Sequence, residues 1–447
     1  MASTRRHFLQ AGAALPLALG AAARGSGQTA ANDKIGFATI GCGIMGQGDT
    51  ETALTVPGNH LVAVCDVYEG RLTRAKEHWG AGLFTTRDYR EVLARKDVDA
   101  VIIATPDHWH ARIAADAMEA GKDVYVQKPM VKHWEDGHRL IETSRRTRRI
   151  LQVGSQRVSS VIYQKARELY RGGAIGTLNG VEAWIDRNSA IGAWRYSIPP
   201  DAGPETIDWD RFLGDAPKHA FDPQRLFQWR NWSDYGTGVA GDLFVHLFSG
   251  IHFVLDSMGP TRAFSGGGIY FWKGDRDAPD ILVAFYDYPR TDTHPAFNLS
   301  LRVNFVCGGP ETSRFHFTGS EGIMTIADGV SVSKPPKETE PGESAGSFSQ
   351  QTAAKIMAQH RVRYPEHPVT ASTMPEADED HFLAPRGYSD DFMHHTAFFN
   401  AVRSRQPVVE DATFGLRAAG PALLANLSYQ QNRIQHWDPV AMRVVES

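Results

Sequence analysis

The stretch from Lys34 to Asp66 constrains this chain most, because it reads as strand, glycine turn, helix and second strand in a fixed order. Ile35-Gly36-Phe37-Ala38-Thr39-Ile40 leads into Gly41-Cys42-Gly43-Ile44-Met45-Gly46, and Leu61-Val62-Ala63-Val64-Cys65 ends on Asp66. This is G-x-G-x-x-G between a strand and a helix, with an acid about twenty residues further on. The first glycine allows the tight turn, the second lets backbone approach a pyrophosphate, and the third lets the helix pack on the strand. Free N–H groups at the helix start, around Ile44 and Met45, favour phosphate. A carboxylate at Asp66 accepts hydrogen bonds from a ribose diol and repels a 2′-phosphate, so NAD is expected in preference to NADP.

A chain of 447 residues has room for two domains. Its formal net charge of −4 and the lack of a dense Lys/Arg run give no reason to expect nucleic acid as a partner. Cys42, Cys65 and Cys307 are odd in number and lack metal-type spacing, so they read as small apolar side chains, and no metal site is expected. At the N-terminus Arg5-Arg6-His7-Phe8-Leu9 precedes a short alanine-rich run. This resembles a twin-arginine export signal over residues 1–31. It implies the export machinery as a partner and a periplasmic or otherwise exported soluble protein, folded around its cofactor before transport.

Alternating apolar strands and helical stretches predict a Rossmann domain over residues 32–155, with a helix at Thr85–Arg95 and strands at Ala100–Thr105, Asp123–Val126 and Ile150–Val153. Beyond it, strands at Leu178–Ile185, Asp280–Asp287 and Leu299–Cys307 predict an α/β domain over residues 156–447, built on a large, open, mostly antiparallel sheet. Residues 331–378, rich in Pro, Ser, Glu and Gly, read as an extended insertion.

Two clusters carry chemistry. Thr105-Pro106-Asp107-His108-Trp109-His110 and Gln127-Lys128-Pro129 follow strand ends, where the ligand crevice of such sheets lies. In Gly236-Thr237-Gly238-Val239-Ala240-Gly241-Asp242-Leu243-Phe244-Val245-His246, Asp242 and His246 stand four apart and would share a helix face. A carboxylate beside a histidine suits a general base that removes a hydroxyl proton as hydride leaves the same carbon. A lysine nearby stabilises developing alkoxide charge. Gln156, Arg157, Trp194, Arg195 and Tyr196 are candidate substrate contacts, since aromatic faces and bidentate donors suit sugars or acids. His394 and His395, on a predicted helix, read as packing residues.

Together these motifs closely resemble the Gfo/Idh/MocA family, named from glucose-fructose oxidoreductase, inositol dehydrogenase and a rhizopine-catabolism protein. The resemblance implies that Lys128, in the position of the family's Glu-Lys-Pro lysine, is catalytic or substrate-binding and precedes a cis peptide bond. It implies Asp242 and His246 as the family's Asp-x-x-x-His pair, with His246 the acid/base, and it places Thr105, Pro106, Asp107, His110 and Gln127 around the nicotinamide. It also implies a homodimer or homotetramer formed through the second sheet. Gln127, Phe244 and Ser249 depart from the family's usual Glu, Gly and Asp. The expected activity is NAD-dependent hydride transfer at a hydroxyl-bearing ring carbon of a sugar or sugar derivative. Two alternatives are a glycoside hydrolase working through a transient 3-keto sugar, and a non-enzymatic nucleotide- or sugar-binding protein.

Overall fold

The computed structural model describes residues 34–334, 343–363 and 380–446. The export signal expected over 1–31 lies outside them, as do parts of the 331–378 segment. Within that segment the described residues form a strand end and two helices, Glu343–Gly346 and Gln350–Arg363, so it is not wholly irregular.

Six parallel strands form the first sheet: β1 (Ile35–Ile40), β2 (Asn59–Cys65), β3 (Phe84–Thr86), β4 (Ala100–Ile103), β5 (Asp123–Gln127) and β6 (Leu151–Gly154). Their order is β3-β2-β1-β4-β5-β6. Every residue of β1, β4, β5 and β6 is buried, as expected of strands covered by helices on both faces. The order reverses between β1 and β4, so the loops after these strands diverge and leave a crevice at their carboxyl ends. The helix expected at Thr85–Arg95 divides into β3 and a short helix, Tyr89–Leu93, begun by Asp88. Asp88 accepts a hydrogen bond from the backbone N–H of Arg90 and so stops the strand.

The second sheet has ten strands: β7 (Leu178–Asp186), β8 (Arg262–Gly268), β9 (Ile281–Tyr288), β10 (Phe297–Asn304), β11 (Thr312–Gly319), β12 (Ile323–Ile326), β13 (Gly329–Ser333), β14 (Asp380–Leu383), β15 (Gln435–Asp438) and β16 (Arg443–Val445). Their order is β14-β13-β12-β11-β7-β10-β9-β8-β15-β16, with only the β7–β10 pair parallel. Alternation in β10 buries Phe297, Leu299, Leu301 and Val303. That face carries the helices Val245–Leu255 and Ala412–Gln431, with Phe248 edge-on to Tyr286 at 5.0 Å. The opposite face leaves Phe264 and Phe285 exposed.

Residues 188–235, between β7 and the second motif cluster, form a strap that reaches back over the Rossmann domain. Main-chain bonds from Glu69 N to Thr206 O (2.8 Å), Asp208 N to Val67 O (2.9 Å) and His108 N to Tyr235 O (3.1 Å) fasten it. An apolar cluster of Tyr68 with Ile207, Phe212, Leu226 and Phe227 seals it. No periodicity foretold this strap, because its helices Trp209–Leu213 and Pro223–Phe227 span five residues each.

Candidate active site

A cleft of about 710 Å³ opens between the carboxyl ends of β1 and β4 and the underside of the strap. At one end lie Gly41, Gly43, Ile44 and Met45 with Asp66, Thr105 and Pro106; at the other lie Lys128, Gln156, Trp194, Tyr196, Asp242 and His246.

The glycine turn shows what each glycine is for. A Cβ on Gly46 would sit 1.9 Å from the Gly41 carbonyl oxygen, so this residue serves helix packing. A Cβ on Gly43 would meet only the Arg71 guanidinium, at 3.5 Å, so the protein itself does not demand this glycine. Its bare backbone faces the cleft, as close approach of a phosphate requires. Asp66 accepts from the N–H of Cys42 (2.7 Å) and of Tyr68 (3.0 Å) and pairs with Arg71 at 3.3 Å. Its Oδ1, with one bond, keeps a lone pair for a ribose hydroxyl. Thr105 Oγ1 is buried in the cleft wall with no hydrogen-bond partner among the described residues. These features fit a dinucleotide.

At the other end, Lys128 precedes the cis Lys128–Pro129 peptide bond and is almost fully buried. Its Nζ donates to Asp242 Oδ1 at 3.0 Å and to the Asp242 carbonyl at 2.9 Å, leaving one N–H for a ligand. Arg230 Nε donates to the same Oδ1 at 3.1 Å, and its guanidinium lies 4.3 Å from the centre of the Trp229 ring. Burial pushes the Asp242 carboxyl up, but the Lys128 and Arg230 charges win and hold it well below the usual carboxylate range. Burial lowers the Lys128 ammonium, with Asp242 opposing and Arg230 adding to the fall.

His246 differs from the expected pair. Asp242 sits in a π-helical turn, Ala240–Phe244, whose i→i+5 spacing rotates its carboxylate toward Lys128 and Arg230. No bond joins it to His246, which faces the cleft without a hydrogen-bond partner among the described residues. Burial, then Lys128 and Arg157, hold the imidazole well below its ordinary value, so the ring is neutral.

Gln127 does not meet Lys128. Its Nε2 donates to Asp49 Oδ2 at 2.8 Å, and Asp49, raised to about 7 by burial, also lies 3.6 Å from His395. A carboxylate on the helix Ile44–Thr55 thus stands opposite an amide where the family's glutamate would be. His395 stacks on Tyr125 at 4.6 Å, while His394 bridges Ser159 and the Val153 carbonyl.

Four expected contacts lie outside the cleft wall. Asp107 Oδ2 accepts from the N–H and hydroxyl of Thr237 (2.9 and 2.7 Å), which fastens the second motif cluster, just after the strap, to the Rossmann domain. His110 spans the Thr105 and Pro129 carbonyls, each 2.8 Å from a ring nitrogen, and joins the two motif loops. Arg195 is turned away by an ion pair with Asp275 at 2.5 Å. Arg157 donates to Ser313 at 3.2 Å and lies over the Tyr163 and Phe315 rings, acting on His246 by charge alone. Conversely, Arg187, Trp229 and Arg230 line the cleft and carried no motif. The run Trp229-Arg230-Asn231-Trp232 was the available signal, a cation flanked by rings.

Residues 35–155 match the Gfo/Idh/MocA family. The matching model is described as an oxidoreductase family with an NAD-binding Rossmann fold. An alpha-N-acetylgalactosaminidase of Shewanella oneidensis is 33% identical over 183 residues, which cover 36% of this chain and 39% of that relative. Among solved structures, GenD2 from gentamicin A biosynthesis in complex with NAD has a TM-score of 0.63 at 18% identity, covering 91% of this chain and 97% of that one. Levoglucosan dehydrogenase in complex with NADH and L-sorbose has 0.62 at 16%, covering 91% and 100%. The structural likenesses establish the shared two-domain fold.

Proposed function

We propose that this chain is an enzyme that holds NAD and moves hydride at a hydroxyl-bearing ring carbon of a sugar or sugar derivative. The observation that carries this reading is one cleft holding the glycine turn at one end and Lys128, Asp242 and His246 at the other. Bound nicotinamide would supply the hydride acceptor. Neutral His246 is available as the base for the substrate hydroxyl. The remaining N–H of Lys128 points charge at the oxygen on which negative charge develops, and Asp242 holds that ammonium in place. The strap covers the chamber with Tyr196, Phe212, Leu226 and Phe227. Rossmann-type matches and the solved relatives' complexes support a nicotinamide dinucleotide; the Asp66 carboxylate favours NAD, although Arg71 beside it offsets part of the repulsion of a 2′-phosphate.

The sequence match to an alpha-N-acetylgalactosaminidase favours a second reading, glycoside cleavage with oxidation and re-reduction inside one cycle. A resident cofactor loaded before twin-arginine export would suit that cycle. The exposed face of the second sheet, with Phe264 and Phe285, offers the surface for a homodimer or homotetramer.

The test combines two measurements. The purified protein is denatured and released NAD and NADP are quantified; absence of both removes the reading. It is then incubated with sugars and glycosides while NADH absorbance and released aglycone are followed. NADH without cleavage supports the dehydrogenase, and aglycone without net NADH supports the glycosidase cycle.

A further inference from the structure

The substrate end of the cleft is unbalanced in charge. Lys128, Arg187 and Arg230 line it against one lining carboxylate, Asp242; Asp107 stands behind the wall, within electrostatic reach of Lys128 and Arg230, and burial raises it to about 7. Lys128 and Arg230 share Asp242 Oδ1, so one anion is divided between two cations. His246 contributes no charge, since burial and its cationic neighbours keep it neutral.

Arg187 sharpens the imbalance. It follows β7, and its Nη1 donates to the Gly192 carbonyl at 3.0 Å while its guanidinium lies 5.6 Å from the centre of the Phe305 ring. Among the described residues it has no carboxylate partner. Asp186, its chain neighbour, is taken by Arg302 at 2.7 Å, and Glu311, beside Gly192, accepts from Ser189 at 2.8 Å. Arg230 commits Nε to Asp242 and has its plane steadied by Trp229, leaving its other N–H groups available. Two oriented guanidinium groups in a partly desolvated cleft are what planar or tetrahedral anions recruit, because the fork bonds two oxygens at once. A neutral ring would leave these charges uncompensated.

We propose that the sugar this cleft takes carries an anionic substituent, a carboxylate or a sulfate or phosphate ester, received by Arg187 with Arg230. This rests on the reading of the cleft as a sugar-oxidising site and names its substrate class.

Tryptophan fluorescence of the cofactor-loaded protein reports binding through Trp194 and Trp229, which line the cleft. The probes are glucuronate, galacturonate, glucose 6-phosphate and glucose 6-sulfate, against glucose and glucuronamide. At least one anionic sugar should bind about 10- to 100-fold tighter than its neutral counterpart, as charged hydrogen bonds allow. Which one does so identifies the group. Arg187→Gln should bring that ratio close to one and Arg187→Lys should keep part of it, with bound nucleotide in each variant confirming its fold. Equal binding of anionic and neutral sugars, a preference intact in Arg187→Gln, or no binding at all would overturn the proposal. NADH formed from neutral sugars without anionic preference would remove this inference and leave the oxidoreductase. Anionic sugars bound tightly with neither NADH nor cleavage would remove the enzyme and leave the binding specificity.

Discussion

Replacing Gln127 by Glu restores the residue usual in the family, and the structure predicts that it harms this chain. Gln127 and Asp49 are both buried, and the amide donates to Asp49 Oδ2 at 2.8 Å. Glutamate would remove that donor and put a second carboxylate in its place. Losing a bond to a charged partner and adding a like charge in a buried site costs about 3 kcal/mol. At about 2 °C per kcal/mol for a chain of this size, the melting temperature at pH 8 should fall by about 6 °C. Asp49 is raised from its ordinary 3.8 to about 7, chiefly by burial. Stability linked to its protonation is therefore fully present below about 3.8 and lost as pH rises through about 7. In the variant one proton shared by the two carboxyls restores a hydrogen bond, so the deficit should shrink at pH 5. Thermal melts of both proteins at pH 5 and pH 8 test this; an equal deficit at the two values, or none at pH 8, would refute the argument.

His246→Ala should lower kcat by about 10²- to 10⁴-fold with bound nucleotide unchanged, measured by single-turnover NADH formation. Because burial, with Lys128 and Arg157 beside it, holds His246 well below its usual value, the acid limb of kcat/KM should be displaced to the acid side of an ordinary imidazole; a limb at the ordinary imidazole value contradicts the assignment. Asp242→Asn removes the negative charge that Lys128 and Arg230 share while keeping the carbonyl acceptors, and kcat should fall more than KM rises in steady-state assays on the sugar that turns over best. Asp107 is raised to about 7 by burial and by Asp242, so its protonation stabilises the fold below about 3.8 and that contribution is lost as pH rises through about 7. Asp107→Asn should accordingly flatten the fall in melting temperature between pH 6 and pH 8.

The Rossmann domain was legible because β1, β4 and β5 are short buried runs punctuated by glycine and proline, and the glycine spacing fixes the turn. The second sheet was legible in β7, β9 and β10, whose apolar residues alternate. Strand β8 was missed because it ends in Gly266-Gly267-Gly268, where no side chain marks the period. The strap escaped for a different reason: tertiary contacts, not repeat, hold it. Lys128, Asp242 and His246 were foreseen as neighbours, but the bond expected between Asp242 and His246 was not formed. Helical spacing assumes 3.6 residues per turn, and the π-helical turn departs from that. Gln127 was visible as a departure, whereas its partner Asp49 lies on another element and no local pattern links them.

The strap leaves β7 and returns to the turn bearing Asp242, carrying Arg230 on its way, and it also roofs the nucleotide cleft. Peeling it back to let a dinucleotide out would displace Arg230 and unload the Asp242 carboxylate in the same motion. A molecule open for exchange is therefore a molecule whose Lys128–Asp242–Arg230 cluster is dismantled. Dilution experiments should then find one rate constant for nucleotide loss and for decay of activity, set by a unimolecular opening step and insensitive to the concentration of free dinucleotide.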